Sequence, residues 1–299
     1  MRGHRQDLMP ERKHLTMPIL LALGSVYLVW GSTYLAIRIT LESYPPLMTA
    51  GTRFIVAGVL LFGYLKLTGV PTPSGREWTA SAVIGALLLL GGNGGVVYAE
   101  QWVSSGIAAT VIATTPIWMV IFSHVFGKHS SRAEWIGVLI GFAGVALLCM
   151  RGELEAHPRG AAALVMASMF WSFGSAWSRH LPLPKGIMAG AAQMITGGMA
   201  MLAAGMLLGE RPPETLSLRA SLAVIYLIVF GSLVGFTSYL YLLQRVSPAL
   251  ATSYGYINPA VAVTLGIVLG GESFTAREFS AMAVILAGVV LVMFGSSRK

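Results

Sequence analysis

Charge is scarce in this chain of 299 residues. Asp, Glu, Lys and Arg make up 11% of it, against roughly 25% in an average soluble domain. With 55% of the residues apolar, most side chains have no claim on water, which excludes an ordinary soluble globule. Cysteine is nearly missing too: Cys149 stands alone, so no intrachain disulfide can form. No Asp or Glu falls midway along an apolar run, and no grouping of His, Asp or Glu within the runs pairs a nucleophile with a base. That argues against a membrane-embedded enzyme, such as a lipid-modifying transferase, and no cofactor is expected. His124 and His129 are five residues apart, off the spacing that puts two metal ligands on one helix face, so no metal site is expected.

What fills the sequence instead is a succession of apolar runs, each able to cross a hydrocarbon layer about 30 Å thick at about 1.5 Å per residue. Ten are legible: 17–38, 46–66, 78–102, 105–126, 132–150, 160–179, 186–208, 219–243, 248–270 and 276–295. The expected fold is therefore an all-α integral membrane protein of ten transmembrane helices. Short connections leave no room for a soluble catalytic domain. The opening "MRGHRQDLMPERKH" is too polar for a signal-peptide core, and the run after it lacks an A-x-A-like cleavage site. Residues 1–16 are read as a cytoplasmic tail and the first run as a retained span.

The net charge of +8 could suggest nucleic acid, but its placement says otherwise. With ten spans both termini share a side, and thirteen Lys and Arg lie on that side against six on the other, Arg53 being set aside within a span. By the positive-inside bias both termini are cytoplasmic, in the inner membrane if the source is bacterial, and no nucleic-acid partner is expected.

Two stretches nearly repeat each other. "VSSGIAATVIATTPI" at 103–117 superposes on "VSPALATSYGYINPA" at 246–260 with an offset of 143. The same offset matches Gly92, Tyr98, Gln101 and Pro116 to Gly235, Tyr241, Gln244 and Pro259. One residue further, "AGVAL" at 143–147 meets "AGVVL" at 287–291, and near the front "WGSTYLAIR" at 30–38 meets "WSFGSAWSR" at 171–179. The chain thus reads as two five-helix units, 17–150 and 151–299. Five is odd, so tandem copies enter the membrane from opposite sides. Two inverted repeats around a central cavity are a recurring plan of carriers that work by alternating access, because exchanging the halves' conformations turns an outward opening into an inward one.

"WGSTYLAIR", "YAEQWVSSGIAATVIATTPIW" and the Gly-Gly-Glu of "GGESFTAREFSAMAVILAGVVL" resemble the ten-helix EamA-type exporters of the drug/metabolite transporter superfamily and, within it, the YddG-like amino-acid exporters. In the first half the matching Gly-Glu is replaced by Lys128-His129. The resemblance implies a basket of helices around a cavity lined mainly by the first, third, fourth, sixth, eighth and ninth spans. It does not choose a substrate, since the superfamily handles amino acids, other metabolites and drugs.

An inverted-repeat carrier holds its solute near the bilayer midplane. Halfway along the spans stand Trp30, Asn93, Thr115, Trp171 and Asn258, with Pro116 and Pro259. Trp30 pairs with Trp171, Thr115 with Asn258 and Pro116 with Pro259 across the repeat. Tyr34 clusters with Trp30, Ser175 shares a face with Trp171, Trp118 lies one turn from Thr114, and Tyr254 one turn from Asn258. These are the candidate contacts for a solute, although aromatic stripes also serve as plain packing or interfacial belts. The two prolines are candidate hinges, each freeing a carbonyl one turn earlier, near Ile112 and Gly255. Asn93 and Glu100 share a face of the third span. Arg53 is costly inside a span unless paired, and is expected to form an ion pair or gate with Glu100.

A proton-coupled exporter of cationic drugs generally wants a buried carboxylate, and a phosphate-sugar exchanger a basic clamp. Neither stands at the midplane. Amides, hydroxyls, carbonyls and indoles suit a neutral or zwitterionic solute with apolar bulk, an amino acid foremost. A channel is the remaining rival, told apart by conductance rather than saturable flux. The expected partners are that solute and the lipid bilayer, and the reading is compatible with a monomer. Tags at the two ends should both be shielded from membrane-impermeant reagents in intact cells. Labelling of one end only from outside contradicts the ten-span reading.

Overall fold

The computed structural model describes residues 16–127, 130–150, 152–246 and 253–296. Among them the helices are α1 Met17–Leu41, α2 Pro46–Leu67, α3 Gly75–Ala99, α4 Ser105–Val125 and α5 Arg132–Cys149. After a single turn at Glu153–Ala156 come α6 Pro158–Trp177, α7 Ile187–Leu207, α8 Leu218–Arg245, α9 Tyr254–Gly270 and α10 Ala276–Ser296. No strand occurs among the described residues. Eight of these helices are long and apolar enough to cross a membrane, α9 is apolar but shorter, and α6 is 20 residues long with Ser168, Ser172 and Ser175 diluting its hydropathy. The expected ninth run starts at 248, and its first residues, like Lys128, His129 and most of the tail, lie outside the described residues.

Several starts are set by side chains. The α3 helix begins three residues before the predicted start because Ser74 and Glu77 form a capping box: Glu77 Oε2 accepts from Ser74 N at 2.7 Å, and Ser74 Oγ from Glu77 N at 3.4 Å. Ser131 with Glu134 starts α5, and Thr275 with Glu278 starts α10, in the same way. Each box satisfies amide donors that no turn of the helix can reach.

Packing follows glycine. The most extensive helix contacts join α2 to α7 and α5 to α10. A methyl group on Gly51 of α2 would lie 2.7 Å from Leu202 N and 2.8 Å from Gly198 O, so the α2 and α7 backbones touch there. At the other crossing, a methyl on Gly288 would lie 2.6 Å from Gly141 N, and one on Gly144 2.8 Å from Ile285 N. Lipid tails are as apolar as leucine, so helix association in a bilayer relies on this kind of close backbone approach.

Three helices depart from regular α geometry midway. Wide π turns occupy Val26–Trp30 in α1, Ala86–Asn93 in α3 and Leu227–Val234 in α8. The α4 helix is interrupted at Ala113–Thr114, just before Pro116. These irregularities meet at the middle of the bundle.

The glycine contacts separate two substitutions on one helix. Gly51→Ala must push α7 away and should destabilise the protein by about 1–3 kcal/mol. Gly63→Ala, where a methyl meets nothing within 4 Å, should be neutral or raise stability by up to about 1 kcal/mol. Thermal unfolding of the two variants in detergent checks the contrast.

Candidate functional site

The π turns and the α4 break surround a cavity of about 100 Å³. The wall takes Trp30, Thr33, Tyr34 and Ile37 from α1, Leu89, Gly92, Asn93 and Val96 from α3, and Ile112 and Thr115 from α4. Ala167 and Trp171 of α6, Gly231 and Phe236 of α8, and Tyr254 and Asn258 of α9 complete most of it. These are the six helices that the sequence resemblance implies. A seventh, α2, adds Arg53 and Phe54. Each π turn delivers a wall residue, and such turns are often found at functional sites because they re-aim side chains and loosen carbonyls. The Gly231 carbonyl in the α8 π turn accepts from Trp30 Nε1 at 3.1 Å.

Glycine also seats the two indoles. A methyl on Gly92 would lie 3.0 Å from Trp171 Cε3, and one on Gly235 2.8 Å from Trp30 Cδ1. Gly92 and Gly235, like Trp171 and Trp30, are matched positions in the sequence repeat, so the same indole-on-glycine contact forms twice, each time between one stretch of the repeat and the other. Trp30 stands edge-on to Trp171 with centroids 6.5 Å apart and edge-on to Tyr254 at 5.0 Å, and lies 5.2 Å from Tyr239. The result is a contiguous aromatic cluster, three of whose rings line the cavity.

Polar groups in the wall divide into engaged and free. Thr115 Oγ1 donates to Ile112 O at 2.6 Å, and Ser172 Oγ donates to Thr115 O at 2.9 Å. The carbonyl that Pro116 leaves without an amide is thus taken by the neighbouring hydroxyl, and does not wait for a solute as the sequence suggested. The Asn258 carboxamide, with its nitrogen as donor, reaches Tyr254 O and Tyr27 O at 3.2 Å and ties α9 to α1. By contrast, Asn93 Oδ1 is buried with no hydrogen-bond partner among the described residues.

The expected Arg53–Glu100 ion pair is not made in this structure. Arg53 is 4% exposed; its Nε donates to Ser232 Oγ of α8 at 3.1 Å, and its Cζ lies 4.3 Å from the Phe54 ring centroid. Glu100 is 1% exposed, and neither carboxylate oxygen has a hydrogen-bond partner. The reason is geometric: α3 ends at Ala99, and Ser232 offers Arg53 a nearer partner on the facing helix. Among the described residues the ion pair within reach is the exposed Arg219–Glu42 pair, at 3.1 Å.

Trp30, Tyr34, Asn93, Thr115, Trp171, Tyr254 and Asn258 are therefore gathered on one cavity. Trp118 and Ser175 are not part of its wall. Trp118 packs on Phe122 and on Phe142 of α5, with centroids 6.4 and 5.0 Å away. Pro116 sits against Gly255 of α9, and Pro259 is buried within α9. Ile37 and Val96 were passed over, although the spacings 30, 33, 34, 37 and 89, 92, 93, 96 each mark a single helix face.

The chain matches the EamA-like transporter family over residues 16–150 and 158–294. It is 47% identical over 280 residues to the "Uncharacterized inner membrane transporter YedA" of Escherichia coli (strain K12), covering 93% of this chain and 92% of that one. Protein PagO of Salmonella typhimurium is 24% identical, with 94% of each chain covered. The "Uncharacterized transporter YdfC" of Bacillus subtilis is 26% identical, covering 92% of this chain and 90% of that one. A solved structure described only as "Crystal structure of protein" superposes with a TM-score of 0.66 at 20% identity, over 94% of this chain and 99% of that one, which shows a shared fold.

One end of the bundle is stitched by carboxylates. Glu210, after α7, accepts from Leu47 N at 3.0 Å and Met48 N at 2.8 Å at the start of α2. Glu272, after α9, accepts from Ser105 N and Ser105 Oγ at 2.9 Å at the start of α4, and Glu153 accepts from Ser104 N at 2.6 Å. Each Glu follows a glycine with positive φ: Gly209 at 82°, Gly271 at 64° and Gly152 at 88°. That backbone turn is open to glycine and aims the next side chain back at a helix start. Arg38 adds Nη1 bonds to Glu100 O at 2.7 Å and Val103 O at 2.9 Å at the same end. Glu272→Ala should lower stability by about 1–3 kcal/mol by stranding the α4 donors, with Glu272→Gln intermediate. Thermal unfolding of the pair checks this.

Proposed function

We propose, for a chain that belongs to the EamA-like transporter family, that it exports small neutral or zwitterionic metabolites by alternating access, amino acids with aromatic or bulky apolar side chains foremost. The coarser statement needs no proposal: this is a multi-pass membrane transporter, and a relative 47% identical to it is named an inner membrane transporter. The observation that carries the finer reading is the cavity itself. Its wall joins Trp30 to Trp171 and Thr115 to Asn258, matched positions from the two halves of the sequence.

Two further features support an inverted duplication with units 17–150 and 151–299. The family match falls in two stretches of similar length, and the strongest helix contacts pair the second helix of one unit with the second of the other, and the fifth with the fifth. With ten spans the termini share a side, and the Lys and Arg bias makes that side the cytoplasm. The end stitched by Glu153, Glu210 and Glu272 is then the outer one, while a cavity of about 100 Å³ is tighter than the roughly 300 Å³ at which drug-sized pockets begin. A narrow, indole-lined hollow favours compact solutes. One chain encloses it, so a monomer suffices.

Counterflow in proteoliposomes tests this directly. Preloaded phenylalanine or leucine should drive saturable uptake of the labelled amino acid, and Trp171→Ala should reduce that uptake at least about tenfold if the indole contributes the 1.5 kcal/mol or more expected of a buried aromatic contact. Saturable exchange of cationic dyes without exchange of amino acids overturns the substrate class. Unsaturable conductance overturns the carrier.

A further inference from the structure

Two residues of the cavity wall carry a buried polar atom that the protein leaves without a hydrogen-bond partner. Arg53 uses Nε on Ser232 and its guanidinium face on Phe54, but Nη1 is buried without a hydrogen-bond partner. A guanidinium stays protonated in a protein and carries five N–H donors, so a buried, unmet one calls for an explanation. The second open group is Asn93 Oδ1, an acceptor. Both residues belong to the same wall, on α2 and α3. Arg53 is the charged member of that wall among the described residues. Glu100 lies near enough to attract it electrostatically but gives it no hydrogen bond and forms no ion pair with it.

We infer that Arg53 is the anchor for a carboxylate of the transported solute, with Asn93 Oδ1 receiving a neighbouring ammonium and the indoles of Trp30 and Trp171 packing its apolar body. This rests on the carrier reading above and narrows it. The carboxylate is the required group because it meets a charge in a dry site, where charge-assisted hydrogen bonds are about twice as strong as neutral ones. The ammonium meets only a neutral amide oxygen and is therefore secondary. A phosphate ester of charge near −2 would leave part of its charge unmet by one guanidinium. An amine without a carboxylate would bring a second cation beside Arg53 into a low-dielectric space, which is unfavourable at any orientation. The carried class is then monocarboxylates with an aromatic or bulky apolar body, the α-amino group strengthening binding without being essential.

Four solutes sharing one phenyl body separate these requirements: phenylalanine, 3-phenylpropionate, phenylethylamine and phenylalaninamide. Each is added as a competitor to counterflow of labelled phenylalanine in proteoliposomes of the full chain. Phenylalanine should compete best and 3-phenylpropionate within about tenfold of it, while the amine and the amide should be weaker by at least another tenfold. In Arg53→Gln the advantage of phenylalanine over its amide should disappear, and Arg53→Lys, which keeps the charge but not the fork, should retain part of it. The wild-type series needs no variant, so a Gln substitution that fails to fold leaves it decisive. Competition by the amide or the amine equal to that of phenylalanine overturns the anchor while sparing the carrier. An advantage of the acid over the amide that survives undiminished in a folded Arg53→Gln protein does the same. Absence of phenylalanine counterflow in vesicles that exchange a nucleoside or a dye overturns the amino-acid reading and the anchor together.

Discussion

Inside a bilayer a peptide group has no water to bond, so every departure from the α-helix must be satisfied from within the protein. The centre of this molecule is built from such departures. The α8 π turn offers its Gly231 carbonyl to an indole, the α4 break hands its freed Ile112 carbonyl to Thr115, and the Tyr254 and Tyr27 carbonyls share the Asn258 amide. In the cavity wall, what is left over after this internal settlement is one guanidinium nitrogen and one amide oxygen, with the unpartnered Glu100 carboxylate buried outside that wall. The cavity's chemistry is defined by that remainder rather than by the full set of polar residues around it.

Much of this was legible from residues alone. Apolar runs of helical length located the helices, and asking which polar and aromatic residues sit midway along them found five that share one wall, with Tyr34 and Tyr254 following as their helical neighbours. Where the structure departs from the expected placements, the causes differ. A periodicity of 3.6 assumes an unbroken helix, whereas the π turns in α1, α3 and α8 insert extra residues, and the break at Ala113–Thr114 resets the register of α4. Trp118, counted from Thr114 across that break, turns to Phe142 of α5 instead of the hollow. Ser175 keeps the face of Trp171 but lies a turn beyond the wall. Arg53 and Glu100 were joined because two opposite charges in apolar surroundings suggest each other. Depth along a helix says nothing of azimuth, and Ser232, an unremarked serine on a facing helix, took the bond.

The two halves are alike in some respects and unlike in others. Glycine-on-indole contacts recur at Gly92 with Trp171 and at Gly235 with Trp30, and capping boxes recur at the starts of α5 and α10. The Gly-Glu turns do not recur evenly. Gly69 and Gly127 adopt the same positive φ, 83° in each, but are followed by Val70 and Lys128, which cannot accept a hydrogen bond through their side chains. Carboxylate stitching is thus a property of the end that carries Glu153, Glu210 and Glu272.

That unevenness bears on how quickly such a carrier could work. Under alternating access the stitched end must part before the hollow can face that way, and Glu272 alone releases three bonds to Ser105 and Gly106 when it lets go. On the proposed mechanism, a barrier set by a few loop carboxylates away from the indoles would make tempo and selectivity separately adjustable. A lineage could change how often the molecule cycles by altering three acidic turns, and leave what it carries untouched.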